Sequence, residues 1–184
     1  MIATIAKSFT FDAAHRLFTC PPEHKCNRLH GHTYNVEVVL TGPVKPNGFV
    51  VDYDQIAKAF EAVPAKVDHQ YLNDVAGLEV PSTEVLAAWI LRELVDGSPS
   101  GDLLCGVPAP PLPNTPLGAY RPTTLVTRVK VMESSTTWCV VETHAVGCKK
   151  TTWSSANRAA ERKAIDDDVA NLIPQAVRST LGDW

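Results

Sequence analysis

Apolar and polar positions alternate twice within the first forty residues. Phe9, Phe11, Ala13 and His15 share one parity, and Tyr34, Val36, Val38 and Leu40 share one in the run that follows His32. Period-two alternation predicts half-buried strands. The residues between them, 16–29, contain Pro21 and Pro22 and read as a loop. A turn cluster at 41–48 precedes a short apolar stretch, 49–51, which is expected to be a strand remnant. Asp52 with Gln55 three residues on resembles a capping box. Ile56, Ala59, Phe60 and Val63 then recur at helical spacing until Pro64, which predicts a helix over about 53–63.

Residues 66–78 read as a loop. Ser82 is a good N-cap for a second helix, and Glu84 places negative charge in its first turn. Val85, Leu86, Trp89, Ile90 and Leu94 form the apolar stripe of that helix, and Gly97 stops it. Alternation returns at 125–132 and 138–142, joined by Glu133-Ser-Ser-Thr-Thr, which predicts a β-hairpin. The order β-β-α-α-β-β implies an α+β fold, an antiparallel sheet carrying two helices on one face. Half of the chain's 14 prolines fall in 98–124 without periodicity, so this stretch is expected to be an insertion in a main domain spanning 1–150. Residues 151–184, with helix formers over 156–173, are expected to form a C-terminal helical extension.

The bulk composition narrows the function classes. The chain has 184 residues, enough to bury a core without covalent staples. A formal net charge of −3 argues against an extended nucleic-acid surface. No apolar run reaches the roughly 20 residues that a membrane span requires. The N-terminal segment is patterned as a strand and lacks the apolar region of an export signal. Five cysteines without a scaffold-like spacing fit a reducing, cytoplasmic setting in which Cys26 stays a thiol.

The chemistry concentrates around Cys26-Asn-Arg-Leu-His30-Gly-His32. On a strand, His30 and His32 project to one face, roughly 6.6–6.8 Å apart along the chain. If the first two strands fold back on each other through 16–29, His15 lands beside them. Three neutral imidazoles with an open fourth position form the donor set of a catalytic zinc. Gly31 leaves room for backbone or ligand on the opposite face. Asp68-His69 places a carboxylate next to an imidazole, which can orient the ring and support its protonated form. Adjacency alone does not decide whether their side chains pair. Glu133 and Glu142 are competing carboxylates at the ends of the two late strands.

Taken in order, His15, Cys26-x-x-x-His30-Gly-His32, Asp68-His69-x-x-Leu72-Asn73-Asp74 and Glu133 resemble the 6-pyruvoyltetrahydropterin synthase / 6-carboxytetrahydropterin synthase family. The resemblance runs to about residue 142, and it implies the tunnelling fold, whose units continue their sheets around a ring of chains. It implies Zn²⁺ on His15, His30 and His32. It also implies a proton-transfer triad of Cys26, Asp68 and His69, with His69 able to come from a neighbouring subunit of a homo-oligomer, a hexamer in the family. Glu133 would anchor a pterin ring. Ser82 and Thr83 would touch the ring as well, although a helix cap accounts for them equally well.

Three residues separate Cys26 from His30, as in bacterial 6-carboxytetrahydropterin synthases, whereas pyruvoyl-type enzymes have five. A glutamate-based variant of the motif serves folate synthesis, and Cys26 argues against it. The implied reaction converts 7,8-dihydroneopterin triphosphate to 6-carboxytetrahydropterin with release of acetaldehyde and triphosphate, toward 7-deazapurines such as the queuosine precursor. The alternative is a 6-pyruvoyltetrahydropterin synthase, which eliminates triphosphate without cleaving the side chain. Two further classes remain open from the residues alone: a three-histidine zinc hydrolase, and a metal- or pterin-binding protein without turnover.

Overall fold

The computed structural model describes residues 1–97 and 125–142. The proline-rich stretch 98–124 and the expected extension 151–184 lie outside the described residues.

Two long strands, β1 (Ile2–His15) and β2 (His30–Pro43), pair antiparallel along their whole length. The short strands β3 (Leu125–Met132) and β4 (Trp138–Glu142) extend the sheet in the order β1-β2-β3-β4. Between the two hairpins come α1 (Tyr53–Phe60), α2 (Pro64–Val67) and α3 (Thr83–Gly97). Single turns of 3₁₀ helix lie at Lys25–Asn27 and Leu72–Asp74. This is the predicted β-β-α-α-β-β order, with the extra short helix α2. No helix among the described residues is long and apolar enough to cross a membrane.

The core lies between one sheet face and the helices. Phe11, Tyr34, Val36, Val38, Leu40, Val129 and Val131 project from the strands and meet Ile56, Phe60, Leu86, Trp89 and Ile90 from α1 and α3. The ring of Phe60 stacks on Phe9 at a centroid distance of 3.9 Å, nearly parallel at 11°. Asp52 caps α1 by accepting from the Asp54 N–H at 2.9 Å. The Ser82 hydroxyl accepts from the Val85 N–H at 3.3 Å, so the expected cap of α3 is in place.

Two local expectations are corrected. The predicted helix 53–63 stops at Phe60, and the Val63 N–H closes a tight turn onto the Phe60 carbonyl at 2.9 Å. Pro64 cannot donate to a continuing ladder, but its fixed φ suits a first helical turn, so it opens α2 instead of ending a helix. The stretch 49–51 forms no strand. Gly48, at φ +87°, turns the chain so that the Lys45 N–H bonds the Phe49 carbonyl, and Val50 and Val51 are buried without entering a ladder.

Leu86 is fully enclosed where α3 meets the sheet. Replacing it by Ala should cost about 2–5 kcal/mol, the range for a cavity-forming core truncation. Urea titration of the folded chain checks this.

Candidate metal centre

The register of the first hairpin brings His15 directly opposite His30, and Ala13 opposite His32. Because alternate residues share a face, all three imidazoles stand on the core side of the sheet, beyond Phe11 and Tyr34. Ring centroids are 4.4 Å apart for His15–His30 and 5.1 Å for each of the other pairs. One nitrogen from each ring lies within 4.8 Å of the other two. A Cβ on Gly31 would sit 3.1 Å from the Ala13 carbonyl oxygen. The missing side chain therefore lets the β1 backbone close in on the strand between the two histidines.

Hydrogen bonds fix the tautomers. The Pro81 carbonyl lies 2.8 Å from His15 Nδ1, and the Arg28 carbonyl lies 2.7 Å from His30 Nδ1. A carbonyl only accepts, so Nδ1 must carry the proton in both rings and Nε2 keeps its lone pair. His15 is 1% exposed, and its Nε2 has no hydrogen-bond partner. A buried acceptor aimed at two further imidazoles is costly unless something binds it. Burial pulls the His15 pKa below its ordinary value. The Pro81 bond opposes this, His30 and His32 add to it, and the Glu133 carboxylate opposes it slightly. A neutral His15 is the form a divalent ion requires. The donor set and its backbone supports suit a zinc ion held by the three imidazoles.

The remaining candidates are placed around this cluster. Cys26 is a half-buried free thiol in the 3₁₀ turn of the loop, with its N–H donating to His24 Nδ1 at 3.1 Å. Glu133 directly follows β3, and its negative charge is felt by His15, whose lowering by burial it opposes, and by Tyr34, whose rise it adds to. Ser82 is occupied as the helix cap, and Thr83 opens α3 one residue further on. The preceding residue, Pro81, holds His15.

Asp68 and His69 pair with each other, Nδ1 to Oδ1 at 2.9 Å, but neither joins the histidine cluster. They run along the outer edge of β1. The Asp12 N–H donates to Asp68 Oδ1 at 3.0 Å, and the Asp12 carbonyl accepts from the His69 N–H at 2.6 Å. The Asp12 N–H bond is the main reason the Asp68 carboxyl lies below its usual range, with the His69 ring adding to it against desolvation. His69 adopts φ +57°, the left-handed region that strains a residue bearing a Cβ. Its ring is 75% exposed and faces a hollow of about 530 Å³ that Asp12, Gly31 and Thr33 also line. The hollow lies at the edge of β1, and it takes in Ala13 and His32 from the histidine face as well as Asp12, Gly31 and Thr33 from the other.

Several features have no sequence signal of their own. Pro81 and Arg28 act through their carbonyls, which any residue type could supply. Tyr34 is fully buried against His15 and His32, and its hydroxyl has no partner. Burial first, and Glu133 second, push that phenol far above its ordinary pKa. Its place on the histidine face was legible from the alternation, whereas its lack of a partner was not.

An antiparallel four-stranded sheet with helices on one face and three histidines at the end of its core makes this an α+β protein with a candidate metal centre. A family model described as 6-pyruvoyl tetrahydropterin synthase matches residues 4–107, and the chain belongs to that family. It is 39% identical over 105 residues to a 6-carboxy-5,6,7,8-tetrahydropterin synthase of Synechocystis, covering 53% of this chain and 78% of the relative. It is 35% identical over 103 residues to a dihydroneopterin monophosphate aldolase of Pyrococcus furiosus, covering 56% and 83%. A solved 6-pyruvoyl tetrahydropterin synthase from Caenorhabditis elegans superposes with a TM-score of 0.61 at 24% identity, over 78% of this chain and 97% of the other. That likeness speaks for the fold.

His30→Ala should abolish stoichiometric zinc binding, whereas Glu133→Ala should retain zinc. Metal analysis of the two purified variants beside the parent checks both, and equal zinc in His30→Ala and the parent would refute the ligand set.

Proposed function

We propose that the protein is a zinc-dependent lyase. It converts 7,8-dihydroneopterin triphosphate and water to 6-carboxy-5,6,7,8-tetrahydropterin, acetaldehyde and triphosphate, a step toward 7-deazapurines such as the queuosine precursor. The single observation that carries the reading is the cluster of His15, His30 and His32 with its unpartnered, buried Nε2. The three-residue spacing from Cys26 to His30 favours the carboxy product. The Synechocystis relative, named for that product, supports the same choice.

A zinc ion on the three imidazoles supplies Lewis acidity to the oxygens of the substrate side chain. The residues of the chain do the rest. Cys26, half-buried in a loop braced by the Leu17 N–H on its carbonyl, serves as the base that takes a carbon-bound proton. His69 passes a proton at its ring nitrogen, and Asp68 orients that ring through the 2.9 Å contact. Glu133 accepts paired N–H donors from an aminopyrimidinone ring.

Asp68 and His69 sit at the outer edge of β1, outside the three-histidine cluster. On this reading the triad is therefore completed between chains of a homo-oligomer, Cys26 from one subunit and Asp68-His69 from the next. Two inactive variants, Cys26→Ala and His69→Ala, should then restore each other when co-assembled. Random assortment in a closed ring leaves about a quarter of the sites with both groups intact. Activity no higher than the sum of the two separate variants would refute the shared site.

Mass analysis of the product formed from dihydroneopterin triphosphate tests the reaction itself. Acetaldehyde with the 6-carboxy product is expected, and loss of triphosphate with an intact side chain would place the protein with the pyruvoyl-type enzymes. Cys26→Ala should lower turnover at least about a hundredfold, the usual scale for losing a general base. Full turnover in that variant would favour a zinc hydrolase instead.

A further inference from the structure

Next to the candidate metal centre lies a second hollow, of about 580 Å³, lined by Arg16, Asn27, Arg28 and Tyr71 together with Pro22 and Leu29. Its charge runs against that of the whole chain. The protein carries a formal −3, yet residues 16–29 hold Arg16, Lys25 and Arg28 against Glu23 alone, a local excess of two positive charges. No acidic side chain lines the hollow.

The Arg16 guanidinium is held but not neutralised. Arg16 donates from Nη2 to the neutral Asn27 carboxamide oxygen at 3.1 Å. Arg16 and Arg28 take no part in the ion pairs Lys66–Glu93 and Asp68–His69. The Arg16 backbone is clamped by one side chain at both ends. Its N–H donates to Asn73 Oδ1 at 2.9 Å, and its carbonyl accepts from Asn73 Nδ2 at 2.8 Å. Asn27 is anchored in turn on the Cys20 carbonyl. One braced and one exposed forked cation lining a single open hollow that holds no carboxylate are suited to the oxygens of a phosphate chain.

Its position ties it to the site already described. Arg16 directly follows His15, and the Arg28 carbonyl is the acceptor that orients His30. Tyr71 lines both this hollow and the one that holds His69.

We propose that the Arg16–Arg28 hollow is an oligophosphate-binding site that receives the phosphate chain of a phosphorylated pterin. The identity of that ester rests on the lyase reading above, whereas the anion site rests on the arginines alone. The test uses zinc-replete full chain and two probes, inorganic tripolyphosphate and the unphosphorylated dihydroneopterin. Tripolyphosphate should bind the parent and weaken as salt is raised. In Arg28→Gln, whose side chain is exposed and carries no fold contact, its affinity should fall roughly ten- to a hundredfold, the scale of one charged hydrogen-bonding group. Arg28→Lys should recover part of the loss, and Arg16→Ala should add to it. Binding of dihydroneopterin and the zinc content should not change.

With the triphosphate ester as substrate, Arg28→Gln should raise KM by a similar factor. Tripolyphosphate affinity that survives in both Arg28→Gln and Arg16→Ala would overturn the proposal even if the lyase reaction proceeds. Arginine-dependent tripolyphosphate binding in a protein that forms no pterin product would uphold the anion site while the reaction fails.

Discussion

The structure depends on the register of one hairpin. His15 lies across from His30, and Ala13 across from His32, only because β1 and β2 pair from Ile2–Pro43 without a slip. A shift of one residue would send every side chain of a strand to its other face. It would move His15 away from its partners and expose Phe11 together with it. The apolar residues and the imidazoles therefore enforce the same pairing. Burial of Phe11, Tyr34, Val36 and Val38 against the helices holds the rings together, and Gly31 lets the two backbones approach between them.

The histidines occupy the end of a continuous apolar core, where polar atoms are expensive. Two such atoms, His15 Nε2 and the Tyr34 hydroxyl, are left without partners. The cost is tolerated because the surroundings are built elsewhere. The N-terminus of α3 delivers the Pro81 carbonyl to His15, and the loop 16–29 delivers the Arg28 carbonyl to His30. Each bond removes one orientation and one tautomer from the free ring. What remains is a set of lone pairs ordered before any ion arrives.

The other ionisable groups are distributed by the edge of β1 and the loop beside it. Asp12 presents its N–H and carbonyl outward, where no strand among the described residues pairs with them, and the segment carrying Asp68 and His69 takes both. This tie holds His69, in a left-handed conformation, beside the edge of β1. Asn73, four residues further on, reaches back to grip Arg16. One loop thus sets both the acid–base pair and an arginine at the mouth of a hollow. Family membership accounts for the recurrence of these motifs along the chain, and the bonds just named account for how this chain positions them.

The alternation of residues by itself determined the strands, the two main helices, their order and the shared face of His15, His30 and His32. These follow from local periodicity, which a chain carries in any context. The end of α1 at Phe60 and the new turn at Pro64 were not legible, because proline stops one ladder and starts another with equal ease. Nor did spacing decide whether Asp68 and His69 pair, or where along the sheet they attach. That was settled by their bonds to Asp12, 56 residues away in the chain for the Asp68 carboxylate. The carbonyls that select the tautomers, the stranded Tyr34 hydroxyl and the uncompensated Arg16–Arg28 hollow were decided only by tertiary structure. Each depends on which groups meet, or fail to meet, across elements distant in sequence.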